Sequence, residues 1–278
     1  MMQQINAKLP LTHSLTLIYI SSSIVAVLMT AASIGGLLYS TLIYPTEELW
    51  RTFVPNDVTN LGVGLPLLLV AMWLARLGRL VGLLCWPGAL FFVLYNYVVY
   101  VFAMPLNTAF LLHLILVALS AYTAAGLLAS IDAETVQLRL TGVVPERLAA
   151  GVLIGFGLLF ALRVLGVLVT ALANQTPLPE AELAVHTADF LTTPAWIIGG
   201  VLLWRRRPLG YATGLGLLVQ ASMLFVALLI FMLLQPILTA TPFILTDFAV
   251  ILLMGMICFI PFVIFVRGVA SGGEPSSV

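Results

Sequence analysis

Eight stretches of this chain run for eighteen residues or more with almost no charge: about 15–43, 58–75, 80–103, 107–130, 148–173, 187–204, 209–235 and 245–267. A helix needs about 20 apolar residues to cross roughly 30 Å of hydrocarbon, so each stretch predicts a spanning helix. Strands of a membrane barrel would instead alternate in segments of about ten residues. Only 8% of the 278 residues are charged and 62% are hydrophobic, too few charges to cover a soluble fold of this size. The expectation is an all-α polytopic transmembrane bundle of eight spans, a single transmembrane domain over 1–278 with the bilayer as its principal partner. The apolar run that starts near Leu15 is too long for a signal peptide and reads as the first span. The tail over 271–278, SGGEPSSV, reads as disordered.

Charge gives this bundle an orientation. With the N-terminus placed in the cytoplasm, Lys8, Arg76, Arg79, Arg139, Arg147, Arg205, Arg206, Arg207 and Arg267 fall inside and Arg51 alone falls outside. The positive-inside rule then puts both termini on the cytoplasmic face of the inner membrane. Acidic residues lean the other way, with Glu47, Glu48, Asp57, Glu180, Glu182, Asp189 and Asp247 outside. The stretches Trp73–Gly82 (WLARLGRLVG) and Leu203–Gly210 (LWRRRPLG) look alike, each a basic turn between two spans. They suggest duplication, with four-helix halves 1–140 and 141–270 related by an axis along the membrane normal, as in parallel repeats.

Within the fifth span stands Arg163, about 16 Å from one helix mouth and 24 Å from the other at 1.5 Å per residue. It cannot reach either surface, so it is expected to face the bundle interior and to have an acidic or anionic partner. Asp57 and Asp189 are the nearest candidates, with Asn96, Tyr97 and its neighbours Tyr95 and Tyr100, His113 and His186 as polar residues at a similar depth. These predict an outward-facing polar cavity that binds or carries a small anionic or amphiphilic ligand, with Arg163 as anchor, since guanidinium matches carboxylate and phosphate. The competing reading makes the protein a scaffold or complex subunit in which the same groups only lock helices together. Asp57 and Asp247 also read as helix N-caps, after Pro55 and Pro242. The pairs Gly151/Gly155 and Gly210/Gly214 read as close helix contacts. Trp50, Trp73, Trp204 and Tyr211 read as interface-belt residues.

Several functions are disfavoured. The one lysine, Lys8, precedes every span, which excludes a retinal Schiff base. No hydrolase, zinc-protease or nucleotide-binding motif occurs, and Cys85 and Cys258 stand alone in apolar runs. Zero net charge argues against nucleic acid. No cofactor, metal or catalytic residue is assigned, and the reading leans away from an enzyme.

Overall fold

The structure, a computed structural model, describes residues 9–104 and 106–272. Lys8 and the tail beyond Gly272 lie outside the described residues. The described residues are all-helical, with one isolated bridge among them, between Leu11 and Ile131. Its elements are α1 (Thr16–Leu38), the single turn α2 (Ser40–Ile43), α3 (Glu47–Thr59), a π-turn (Asn60–Gly64) and α4 (Leu65–Arg76). They continue with α5 (Leu80–Ala103), α6 (Phe110–Ser130), the short α7 (Ala133–Leu140), α8 (Glu146–Asn174), α9 (Glu180–Trp204), α10 (Pro208–Thr239) and α11 (Leu245–Gly272).

Seven helical segments among the described residues are long and apolar enough to cross a membrane: α1, the continuous α3–α4 run, α5, α6, α8, α10 and α11. The protein is therefore membrane-embedded. α9 is as long, 25 residues, but its first half carries Glu180, Glu182, His186, Asp189, Thr192 and Thr193, which lower its hydropathy. Its second half, from Trp196 to Trp204, is apolar.

Two expectations are corrected at α3. Most of the segment 44–57 is helix rather than loop, from Glu47 onward, capped by Thr46, whose hydroxyl accepts from the amide of Leu49 at 3.3 Å. Asp57 is thus no N-cap; it sits about three turns further in, past Pro55, which the helix accommodates. Proline is tolerated inside membrane helices where neighbouring groups re-satisfy the freed carbonyl, and here the side-chain amide of Gln235 in α10 donates to the Arg51 carbonyl, four residues before Pro55, at 3.5 Å. Asp247 is likewise the third residue of α11 rather than its cap, where its charge still favours the helix N-terminus.

Hydrogen bonds define the two ends of the bundle. At one, the Thr12 amide meets the Ser130 carbonyl, Tyr19 donates to Met72, and Gln137 donates to the Arg206 carbonyl at 2.7 Å. This end also carries the α4–α5 and α9–α10 turns, and we call it the basic end. At the acidic end Asn107 donates to the Ile43 carbonyl, Arg51 pairs with Glu47, and Glu48 accepts from the first-turn amide of Ala181 in α9. The first described residues and the end of α11 both lie at the basic end.

The basic end is tied by one buried carboxylate. Glu146 opens α8 and accepts from the Gly142 amide at 2.9 Å, the Tyr211 hydroxyl at 2.7 Å and Arg206 Nη2 at 3.3 Å. A buried charge needs this many partners to offset its desolvation. Tyr211 is fully buried in this cluster, so it is not a belt residue, whereas Trp73 and Trp204 are exposed.

The two basic turns match bond for bond at a constant separation of 128 residues, as from Gly82 to Gly210. The Gly78 and Arg79 amides donate to Ala75 and Leu74, and the Arg206 and Arg207 amides donate to Leu203 and Leu202. Gly78 takes φ +75° and Arg206 φ +53°, the left-handed end of a helix in both cases. The same separation relates Gly88 of α5 to Gly216 of α10, and these two touch: a Cβ on Gly88 would fall on the Gly216 carbonyl. The Gly151/Gly155 pair, by contrast, makes no close approach, since a Cβ on Gly155 would meet nothing within 4 Å. Gly157 and Gly200 carry the α8–α9 packing instead, against Ile197 and Ile154.

Candidate functional site

Polar side chains in the acidic half divide into two groups. The first centres on Asp57, which is 1% exposed. Its carboxylate accepts from the Tyr44 hydroxyl at 2.5 Å and from the Tyr100 hydroxyl at 2.8 Å. Asn56 and Asn60, one turn apart on the same helix, direct their amides at the Tyr100 oxygen at 3.2 and 3.4 Å. Tyr97 donates to the Met29 carbonyl at 3.2 Å. The His113 ring packs on Tyr100 and Tyr97, with centroids 4.9 and 5.7 Å apart, and its Nδ1 is buried without a hydrogen bond. Gly36 of α1 is what lets this layer close, because a Cβ there would overlap the Asp57 carboxylate and the Tyr44 hydroxyl.

The second group lines a cavity of about 240 Å³ between α3, α5, α8, α9 and α10. Its polar residues are Thr52, Asn56, Tyr95, Asn96, Arg163 and Asp189; aromatic and aliphatic side chains such as Phe160, Trp196 and Phe231 form the rest. Tyr95 donates to Asp189 Oδ1 at 2.9 Å, fixing the carboxylate at the wall. Trp196 is held by its indole N–H donating to Gln220 Oε1 at 2.5 Å. Asn96 donates to the Phe92 carbonyl of its own helix at 2.9 Å.

Arg163 differs from all of these. Among the described residues it makes no hydrogen bond and no ion pair within 4 Å, and it is exposed at the cavity rim. It is near enough for its charge to act on Asp189 and Tyr95. Three of the residues expected together from the sequence, Arg163, Asp189 and Asn96, therefore share one cavity.

Asp57, Tyr97 and His113 do not line it; they form the neighbouring sealed layer, linked to it through Asn56. His186 lies a turn before Asp189, 1% exposed, with neither ring nitrogen in a hydrogen bond and Nε2 3.5 Å from Glu182 Oε1. Tyr44, Asn56, Asn60, Trp196 and Gly36 were not singled out in the sequence as parts of these groups. Their signal there is weak, since each partner is 13 or more residues away.

Chemically, the cavity offers one cation without a direct partner among the described residues, one anchored carboxylate and an apolar wall. Among the described residues no cluster of three metal-ligating side chains occurs. The chain matches no protein-family model, and no curated protein and no solved structure is significantly similar to it, so its fold and site are read from their own geometry.

Proposed function

We propose that this protein is an eight-span inner-membrane protein that binds or carries a small anionic or amphiphilic ligand in the cavity between its halves. Arg163 is the anchor for the anion, Asp189 is its counter-ion when the site is empty, and Asn96 lines the polar wall. Asp57, Tyr97, His113 and His186 are the buried layer that holds this wall in place.

The observation that carries the reading is an arginine at mid-helix that lines a cavity without a direct partner. An intramembrane charge is costly, and a permanent one is expected to be paired or to serve a ligand. Arg163 lies too far along α8 to reach either helix end. The mixed lining suits an amphiphile, with the head at Arg163 and a short tail against Phe160, Leu228 and Phe231.

The eighth span is α9, whose polar face is turned to this cavity. Both termini are cytoplasmic, which puts eight of the ten arginines on the side that the positive-inside rule requires. The halves 1–140 and 141–270 form a four-plus-four repeat about an axis through the Gly88–Gly216 contact. The matched basic turns support that duplication.

The test is thermal unfolding of the purified protein with decanoate or with decyltrimethylammonium below their micellar concentrations. The carboxylate should raise the melting temperature of the parent and the ammonium should not. Arg163→Gln should remove the rise while leaving a folded protein. A parent insensitive to both probes, or a rise that survives in Arg163→Gln, overturns the reading. The scaffold alternative is favoured at the Asp57 layer, where the carboxylate is 1% exposed and accepts from both Tyr44 and Tyr100.

A further inference from the structure

A second cavity, of about 330 Å³, lies on the opposite part of the interface between α5, α6, α9 and α10. Its lining is apolar almost throughout, with Pro87, Phe91, Leu128, Ile198, Leu202 and Leu217 among its walls. Ala124 and Ala195 line it with small side chains, and Gly88, Gly199 and Gly216 line it where the helices pack closest. The one polar side chain there, Thr213, is internally satisfied, its hydroxyl donating to the Leu209 carbonyl at 2.8 Å.

The groove has a direction. Leu202 and Leu209 flank the α9–α10 turn at the basic end, and Ala195 and Phe91 mark its deepest level. From the end of α9 at Trp204 to Ala195 is about 14 Å at 1.5 Å per residue, close to half of a hydrocarbon layer of roughly 30 Å. Its length thus matches the acyl chains of one leaflet. At the mouth stands the turn Arg205-Arg206-Arg207, exposed throughout. Arg206 is paired with Glu146, whereas Arg205 and Arg207 have no ion pair among the described residues.

From this geometry we propose that the groove is a binding site for one anionic phospholipid of the leaflet at the basic end. One acyl chain lies along Leu202, Ile198 and Phe91, and the phosphate sits at the level of Arg205 and Arg207. Basic pockets between spans on the cytoplasmic side take anionic headgroups in this way. A zwitterionic lipid of equal chain length would fill the groove and bring the same phosphate, but with a quaternary ammonium cation beside it that opposes the two guanidinium groups. The site is separate from the Arg163 cavity and does not depend on it.

The test uses the full-length protein, delipidated in detergent, with dioleoyl phosphatidylglycerol or dioleoyl phosphatidylcholine added and the retained lipid counted by native mass spectrometry. One tightly held phosphatidylglycerol is expected, preferred over phosphatidylcholine by about 25-fold, each arginine near the surface contributing about a fivefold factor. Arg205→Ser with Arg207→Ser should abolish the preference, and Ala195→Phe, which fills the deep end, should lose the bound lipid of either kind. Arg163→Gln should change neither result. Equal retention of the two lipids by the parent overturns the proposal, and so does an undiminished preference in the double serine variant. If Ala195→Phe fails to fold, the parent and serine measurements decide alone.

Discussion

Asp57 and Asp189 occupy similar depths in the bundle and each accepts a tyrosine hydroxyl, yet one is sealed and the other is open. Asp57 is enclosed by Tyr44, Tyr100, Phe53 and the bare backbone of Gly36, with no cation at hand. Asp189 has one tyrosine, a cavity before it and an unpaired guanidinium beyond. The two aspartates look alike as residue types; what separates them is what the neighbouring helices supply. Two phenols and a glycine seal one carboxylate, whereas one phenol and a void leave the other beside open space.

The comparison breaks most visibly under truncation. Asp57→Ala leaves two buried hydroxyls unpaired at about 1–3 kcal/mol each, so a loss of about 3–5 kcal/mol is expected in chemical unfolding, against about 1 kcal/mol for Asp189→Ala, whose tyrosine can turn to the cavity. Equal losses would show that the two sites are sealed alike. Gly36→Ala should cost about 1–3 kcal/mol in the same measurement by forcing its methyl group onto the Asp57 layer.

Single hydroxyls sharpen the contrast. Tyr100→Phe removes a bond to Asp57 and the acceptor of two asparagine amides, for about 2 kcal/mol, while Tyr95→Phe should cost about 1 kcal/mol or less and loosen the Asp189 carboxylate. Arg163→Leu should leave stability within about 1 kcal/mol of the parent or raise it, because no bond is lost and a membrane charge is removed. A loss as large as that of Asp57→Ala would make Arg163 a lock as well.

The smallest effect lies outside the spans. The Thr135 hydroxyl and amide donate to Asp132 at 2.6 and 3.1 Å, and the side-chain bond in particular holds its carboxyl below the usual range. A depressed folded value contributes stability above the ordinary pKa of about 3.9 and loses it as pH falls through the folded value. Thr135→Val should therefore reduce a slight acid dependence below about pH 4 in thermal melts, the amide bond keeping the rest, while the Asp57 and Asp189 variants leave it unchanged.

Much of the fold was legible from the apolar runs alone. The spans of α5, α8 and α11 begin where charge or proline ends, and their long hydropathy leaves little freedom. The misreadings share one cause, that local chemistry was read without its neighbours. Pro55 looked like a helix stop because the carbonyl it frees, that of Arg51, is met by Gln235 from a distant helix, which hydropathy does not report. Tyr211 looked like a belt residue because its partner Glu146 is 65 positions earlier. The Gly151/Gly155 spacing is right for close packing, but that face of α8 meets nothing at Gly155. For the site, Arg163, Asp189 and Asn96 could be grouped by depth; which aspartate faces a void could not, because that depends on rotation of helices about their axes.

That dependence on rotation gives the π-turn at Asn60–Gly64 its importance. From Leu49 to Ala75, both 3% exposed, an ordinary helix would advance 26 residues at about 100° each and overshoot seven full revolutions by about 80°. One surplus residue in the wide turn takes back about 100°, so both ends of the span present the same azimuth to the core, within about 20°. The widened turn works as a phase corrector, keeping Asp57 pointed at Tyr44 and Tyr100 while Leu68 and Met72 below it stay packed.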